Sequence, residues 1–175
     1  GTDFALMDTH ASQEGELSGQ VIFTGFGVSS RELNYDDYEG LDVKDKIVAF
    51  LSEAPASFPT TLRAYYSDHN VKRGIAAAHG AAGVIELRTP SEEKRFPWSF
   101  LLREFAIGWN SLRWLAGDGK PHGLGDGIRF WAVLNRSGSE ALMAGESHPL
   151  DELFQAAAGQ AEVPAFVLEK SVAVR

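Results

Sequence analysis

The chain has 175 residues, 44 % of them hydrophobic and 23 % charged, with 18 Gly and 7 Pro, which are the proportions of one globular domain rather than a disordered chain. Lys and Arg number 16 against 24 Asp and Glu, and the net charge of −8 gives too acidic a field to hold nucleic acid or anionic lipid. No cysteine is present, which excludes disulfides, cysteine-ligated zinc and thiol nucleophiles together, and no apolar run approaches the roughly eighteen residues of a membrane span.

The first residue is Gly1, and no basic, apolar, small-residue leader follows it, so the sequence reads as an excised or processed piece. Val21-Ile22-Phe23-Thr24-Gly25-Phe26, rich in β-branched and aromatic residues and bounded by Gly19 and Gly27, predicts a strand. Residues 34–40 are polar and turn-forming. The apolar run Ile47-Val48-Ala49-Phe50-Leu51 predicts a strand covered on both faces. Pro55 and Pro59 each lack a backbone donor, so the ladder stops there, and a loop of about fifteen residues is expected before a helix starts near Val71. Asp68 or Asn70 caps that helix, and Val71, Ile75, Ala78 and Ala82 recur at helical spacing. Gly80 suits the left-handed position after its end, and Gly83 opens the strand Val84-Ile85-Glu86-Leu87. Residues 47–87 thus have the form of strand, crossover helix, strand.

The middle third carries less pattern. Residues 89–95 are polar, 96–114 mix aromatics with charges at no clean period, and Asp118-Gly119-Lys120-Pro121 signals a turn. Residues 128–134 predict a strand, followed by a short helix capped by Asn135 or Ser137 that ends before Gly145. Pro149 suits the first turn of a helix over 150–158 that Gly159 stops, and 164–174 predict a final strand. Strands outnumber helices, both sequence ends are extended, and the class is mixed α/β, rich in β.

Motifs of catalysis are scarce. The string Gly145-Glu146-Ser147-His148-Pro149 lacks the second Gly that a G-x-S-x-G elbow needs for its sharp turn. His10, His69, His79, His122 and His148 show no i, i+4 pair of the helical zinc type and read as surface or turn histidines. Asp36, Asp37, Glu39 and Asp42 lack the ligand order and central Gly of an EF-hand, and read as a solvated turn. Gly25-Phe26-Gly27 follows a strand, yet Ser30 stands where a dinucleotide fingerprint needs its third Gly. Asn135-Arg136-Ser137 is a glycosylation sequon in form only. Trp131 sits within an apolar strand and reads as core, whereas Trp98 and the pair Tyr65-Tyr66 fall in expected loops, where binding groups are commonly presented.

The segment Tyr35-Asp36-Asp37-Tyr38-Glu39-Gly40-Leu41-Asp42-Val43-Lys44-Asp45-Lys46-Ile47-Val48 resembles the approach to the core strand of protease-associated (PA) domains, in the version found within bacterial M28-type zinc aminopeptidases. Lys72-Arg73-Gly74-Ile75-Ala76-Ala77-Ala78-His79-Gly80-Ala81-Ala82-Gly83-Val84-Ile85 is similar to the same family's Lys-led, Ala-rich helix, Gly-Ala turn and strand, and residues 23–28 and 54–59 match as well. The likeness is close over 19–87, looser over 114–145 and faint over 88–110. Asp45 stands where the family usually has Gly, so the turn there must tolerate a non-Gly residue.

The resemblance implies a swivelling β/β/α fold, a curved sheet or open barrel flanked by helices, over a single domain of residues 1–175, with 88–125 a divergent insertion. It also implies a non-catalytic insert beside an aminopeptidase active site, in a protein exported to the periplasm or beyond. The family's zinc ligands lie outside the insert, so zinc is expected only in the parent's catalytic domain, and no cofactor, metal ligand or catalytic residue in this chain. The expected partners are that catalytic domain and a peptide substrate, with no nucleic acid and no membrane span. The segment 52–69 is the candidate partner- or substrate-facing loop, with Arg63, Tyr65, Tyr66 and His69 as its candidate contacts. Two other readings compete: a carbohydrate-binding module using exposed aromatics such as Trp98, Trp109, Tyr65 and Tyr66, and a small stand-alone hydrolase using His69 or His148 with nearby carboxylates.

Overall fold

The computed structural model describes residues 3–7, 17–106, 117, 127–159 and 161–174. Along these residues the chain runs β1 (Phe4–Met7), β2 (Leu17–Thr24), β3 (Ser29–Ser30), β4 (Tyr35–Asp36), β5 (Ile47–Leu51), α1 (Thr60–Tyr66), α2 (His69–Ala78), β6 (Gly83–Leu87), α3 (Pro90–Arg95), α4 (Trp98–Ala106), β7 (Phe130–Leu134), α5 (Arg136–Met143), α6 (Leu150–Ala158) and β8 (Ala165–Val174). Six strands form one sheet in the order β1-β7-β6-β5-β2-β8, while β3 and β4 make a small pair of their own. The four inner strands are parallel, and the edge strands β1 and β8 run antiparallel to their neighbours. The architecture is mixed α/β. No helix among the described residues is long and apolar enough to cross a membrane.

The parallel centre follows from composition. β5 and β6 are buried at every residue, so they need cover on both faces, and the helices between and after them provide it. On one face Ile22, Val48, Phe50, Val84, Trp131 and Val133 pack with Ala76 of α2. On the other, Val21, Phe23, Ala49, Leu51, Ile85 and Ala132 pack with Leu142 of α5 and Leu153 and Phe154 of α6. The small residues of α2 let it lie close to the sheet. Gly83 is required by the same economy of space, because a Cβ there would overlap the Phe130 ring of the neighbouring strand.

Helix ends match their sequence signals. Asp68 accepts from the N–H groups of Asn70 and Val71, and Asn135 from that of Gly138. Gly80, at φ +84°, follows α2 in the left-handed region. α6 spans the expected residues, with Pro149 as its N-cap rather than in its first turn. Asp45 holds φ +58°, so the turn there is left-handed and, as expected, tolerates a non-Gly residue.

Three expectations are corrected. The long loop after Pro59 contains α1, and the helix expected near Val71 follows it from His69 with Asp68 as its cap. α1 buries no residue, so it has no apolar stripe to announce it. Residues 89–106, which show no period in sequence, form α3 and α4, and Trp98 therefore opens a helix and packs on the core. Asp37 is not part of a solvated turn: it is buried, its Oδ2 accepting from the Val28 N–H at 2.9 Å and its Oδ1 from the Tyr35 hydroxyl at 2.7 Å. The part of the 88–125 insertion beyond 106, apart from 117, lies outside the described residues, as do Trp109, His10 and His122.

Candidate functional site

The parallel strands β5 and β6 end side by side, and their exits are tied together by buried polar groups. Lys72, fully inside on α2, donates from Nζ to the carbonyl oxygens of Leu51 (2.7 Å) and Glu53. Its ammonium also lies 5.4 Å from the centre of the Phe50 ring. Glu53 is held at φ +71°, an unfavourable conformation for a side chain with a Cβ, and its Oε2 accepts from the Thr89 hydroxyl at 2.6 Å. The Thr89 N–H in turn donates to Ser52 Oγ at 3.0 Å. Crevices at the carboxyl ends of parallel strands are the usual place for ligands in open α/β sheets.

Glu86 occupies an apolar slot of the register, between Phe50 and Val133, and only 6 % of it is exposed. Burial pushes its carboxyl well above the usual range and Glu92 pushes the same way, against the opposing charges of Lys72 and Arg88. Burial likewise drives the Lys72 ammonium down, with Glu86 the first of the acids that resist it. Trp131, on the neighbouring strand β7, lies beside Glu86. The Arg73 guanidinium sits 4.9 Å from its ring centre and the His69 ring 4.8 Å away. Burial lowers the proton affinity of His69, although Asp68 pulls it back up.

Arg88 completes the corner. Its buried guanidinium pairs with Glu93 at 3.2 Å and Glu92 at 3.9 Å, and donates to the Phe96 carbonyl oxygen, which fastens α3 to the end of β6.

A cavity of about 940 Å³ opens at this corner, among α1, the start of α2 and the α3–α4 segment. Arg63, Asp68, His69, Glu86, Glu92 and Trp131 contribute its polar wall, and the exposed Phe96 and Phe100 also line it. Of the four contacts expected from sequence, Arg63 and His69 line this cavity and Tyr65 and Tyr66 do not. Tyr66 turns edge-on to Phe58, and Tyr65, 56 % exposed, packs edge-on against Tyr66 at 5.0 Å and 78°. These tyrosines, and the half-buried Trp98, do not form the coplanar, solvent-facing platform that sugar stacking requires. Lys72 and Glu86 were missed as site residues. The signal for Glu86 was present: a lone acid inside the apolar strand 84–87 must be paired, protonated or functional.

The other two described histidines are otherwise engaged. His79 stacks on Tyr38 with ring centres 4.2 Å apart, and His148 lies 4.9 Å from Phe166 and 3.4 Å from Glu152 Oε1. Among the described residues, no three of His, Asp and Glu stand together as a group able to hold a metal ion.

No protein-family model matches this chain, and no curated protein does. Among solved structures, the aminopeptidase from Aneurinibacillus sp. strain AM-1 overlaps 93 % of this chain at a TM-score of 0.39 and 16 % identity. The chain spans 28 % of that aminopeptidase's length. At that score and identity, no property of the aminopeptidase follows for this chain.

Proposed function

We propose that this chain is a non-catalytic domain of protease-associated type, carried by a larger, exported zinc aminopeptidase of the M28 type, and that it holds peptide in the cavity at the ends of β5 and β6. The motif resemblance over 19–87 supports the family assignment, and the residues that carry it are the turns, strand cores and helix stripe that place the cavity. The observation that carries the binding role is the cavity itself. Apolar and charged walls stand together on a buried parallel sheet, and Arg63 and His69, named from sequence alone, are among its walls. Binding a remote part of a peptide there contributes affinity and excludes bulky substrates while leaving bond cleavage to the partner domain. Zinc belongs, in this reading, to that partner, and no side chain here is assigned to it.

The test has two parts. Assayed alone on aminoacyl-nitroanilides with zinc added, the chain gives no turnover above blank; turnover that chelation abolishes overturns the non-catalytic reading. Titrated with short peptides, the chain releases a heat of binding that Ala64→Trp removes, because Ala64 is an exposed α1 residue on the cavity wall. Peptide heats unchanged in that variant place binding elsewhere and overturn the assignment of this cavity.

A further inference from the structure

Each carboxylate on the cavity wall is answered from within the chain. Asp68 accepts from the N–H groups of Asn70 and Val71. Glu53 accepts from the Thr89 hydroxyl, and Glu92 lies 3.9 Å from the buried guanidinium of Arg88. Glu86, interior to the sheet, has the Lys72 ammonium as an opposing charge and the Trp131 indole as its donor. Arg88 is likewise committed, to Glu92, Glu93 and the Phe96 carbonyl oxygen. The two other arginines of the wall are not. Arg63, exposed on α1, and Arg95, exposed at the end of α3, meet no carboxylate and donate no side-chain hydrogen bond among the described residues.

Composition predicts the reverse. With 24 Asp and Glu against 16 Lys and Arg, a basic side chain is surrounded by more carboxylates than it can pair with, and Arg88, Arg103 and Arg136 each reach one. Arg63 and Arg95 reach none, although the walls they stand on carry Glu53, Asp68, Glu86 and Glu92. They come from different sides of the cavity, α1 and α3. The Arg95 guanidinium lies 5.1 Å from the centre of the Phe96 ring, a contact that steadies its plane and leaves its in-plane donors free. Phe96 and Phe100, 47 % and 40 % exposed, add apolar surface to the α3–α4 side.

We infer that this cavity takes an acidic side chain of a peptide, with Arg63 and Arg95 as the donors to its carboxylate and Phe96 and Phe100 against its short apolar stem. A guanidinium offers two parallel N–H donors that match the two oxygens of a carboxylate, which makes this pairing stronger than one between neutral groups. A cationic side chain finds the carboxylates of the wall already engaged. The net charge of −8 repels an anion at a distance, so the attraction is one of contact and not of steering. The inference rests on the cavity being the peptide site, and it names the side chain that the site reads.

The experiment is calorimetric titration of the whole chain with three N-acetylated peptides: Ala-Leu-Glu-Ala amide, Ala-Leu-Gln-Ala amide, and Ala-Leu-Gln-Ala with a free carboxyl end. The glutamate peptide binds at least about tenfold more tightly than the glutamine amide. Arg63→Gln and Arg95→Gln, both at exposed positions, each weaken the glutamate peptide at least about threefold and leave the glutamine amide unaltered. A general folding defect would weaken both peptides alike. Tighter binding of the free-carboxyl peptide than of the glutamate peptide overturns the side chain as the source of the carboxylate. A glutamate preference that survives in both arginine variants overturns the role of these two residues. Equal affinity of the two amides overturns the inference and leaves peptide binding in this cavity standing. Absence of binding by all three overturns both.

Discussion

Asp37 shows how one buried carboxyl couples folding to pH. Burial is the largest influence on it and outweighs the hydrogen bonds from Val28 and Tyr35 and the field of Lys72, so that its pKa rises from 3.8 to about 6. The native state therefore binds the proton more tightly than the unfolded chain does, and Asp37's contribution to stability is complete below pH 4 and is lost as pH rises through 6. Asp37→Asn keeps an acceptor for the Val28 N–H and has no charge to bury. The stability of the wild type relative to this variant should fall by on the order of 2–3 kcal/mol between pH 4 and pH 7, read from urea midpoints at each pH. A difference that stays flat across that range shows that burial does not govern this carboxyl. Sequence could not reveal this role. Asp36, Asp37, Glu39 and Asp42 look alike as letters, and only the packing of the β3–β4 pair selects the one that goes inside.

At the level of elements, legibility follows burial. β5 and α6 announce themselves because their apolar residues answer to a core, and both match the sequence reading residue for residue. α1 and α3 bury nothing and have no periodicity to find. α3 did carry a different signal: Thr89-Pro90-Ser91-Glu92 has the spacing of a capping box, and the Thr89 hydroxyl does accept from the Glu92 N–H at 3.2 Å. The contact between β6 and β7 offers a sharp test. Gly83→Ala places a methyl group where the Phe130 ring lies, and the ring cannot move freely because it is buried in the core. A loss of about 1–3 kcal/mol or more is expected in chemical unfolding, whereas Gly40→Ala, with open space around its Cβ position, pays only for its positive φ. Equal losses in the two variants contradict the close approach of these strands.

Over the whole molecule, the sheet closes its order with strands from opposite ends of the chain. β1 covers one flank and β8 the other, and β8 pairs with β2 from Leu17↔Val174 to Thr24↔Ala165. Removing residues 165–175 strips β2 of that partner, uncovers a row of backbone donors and acceptors, and takes Leu168 out of the core. The truncated chain should lose the elution peak of the intact chain in size-exclusion chromatography and aggregate. A truncated chain that keeps that peak and stays folded refutes the place of β8 in the cooperative unit.

The sequence by itself determined the class, the central strand–helix–strand unit, the main helix caps and the glycine positions, because those depend on neighbours a few residues apart and on an apolar period that any core must satisfy. Of the four contacts it named, Arg63 and His69 line the cavity. The tertiary structure alone decided that Glu86 and Lys72 share one interior corner, that Arg88 locks α3 onto it, and that Tyr65 and Tyr66 turn away from the cavity. Those outcomes depend on which strands become neighbours, and strand order is set by packing over the whole chain rather than by any local run of residues.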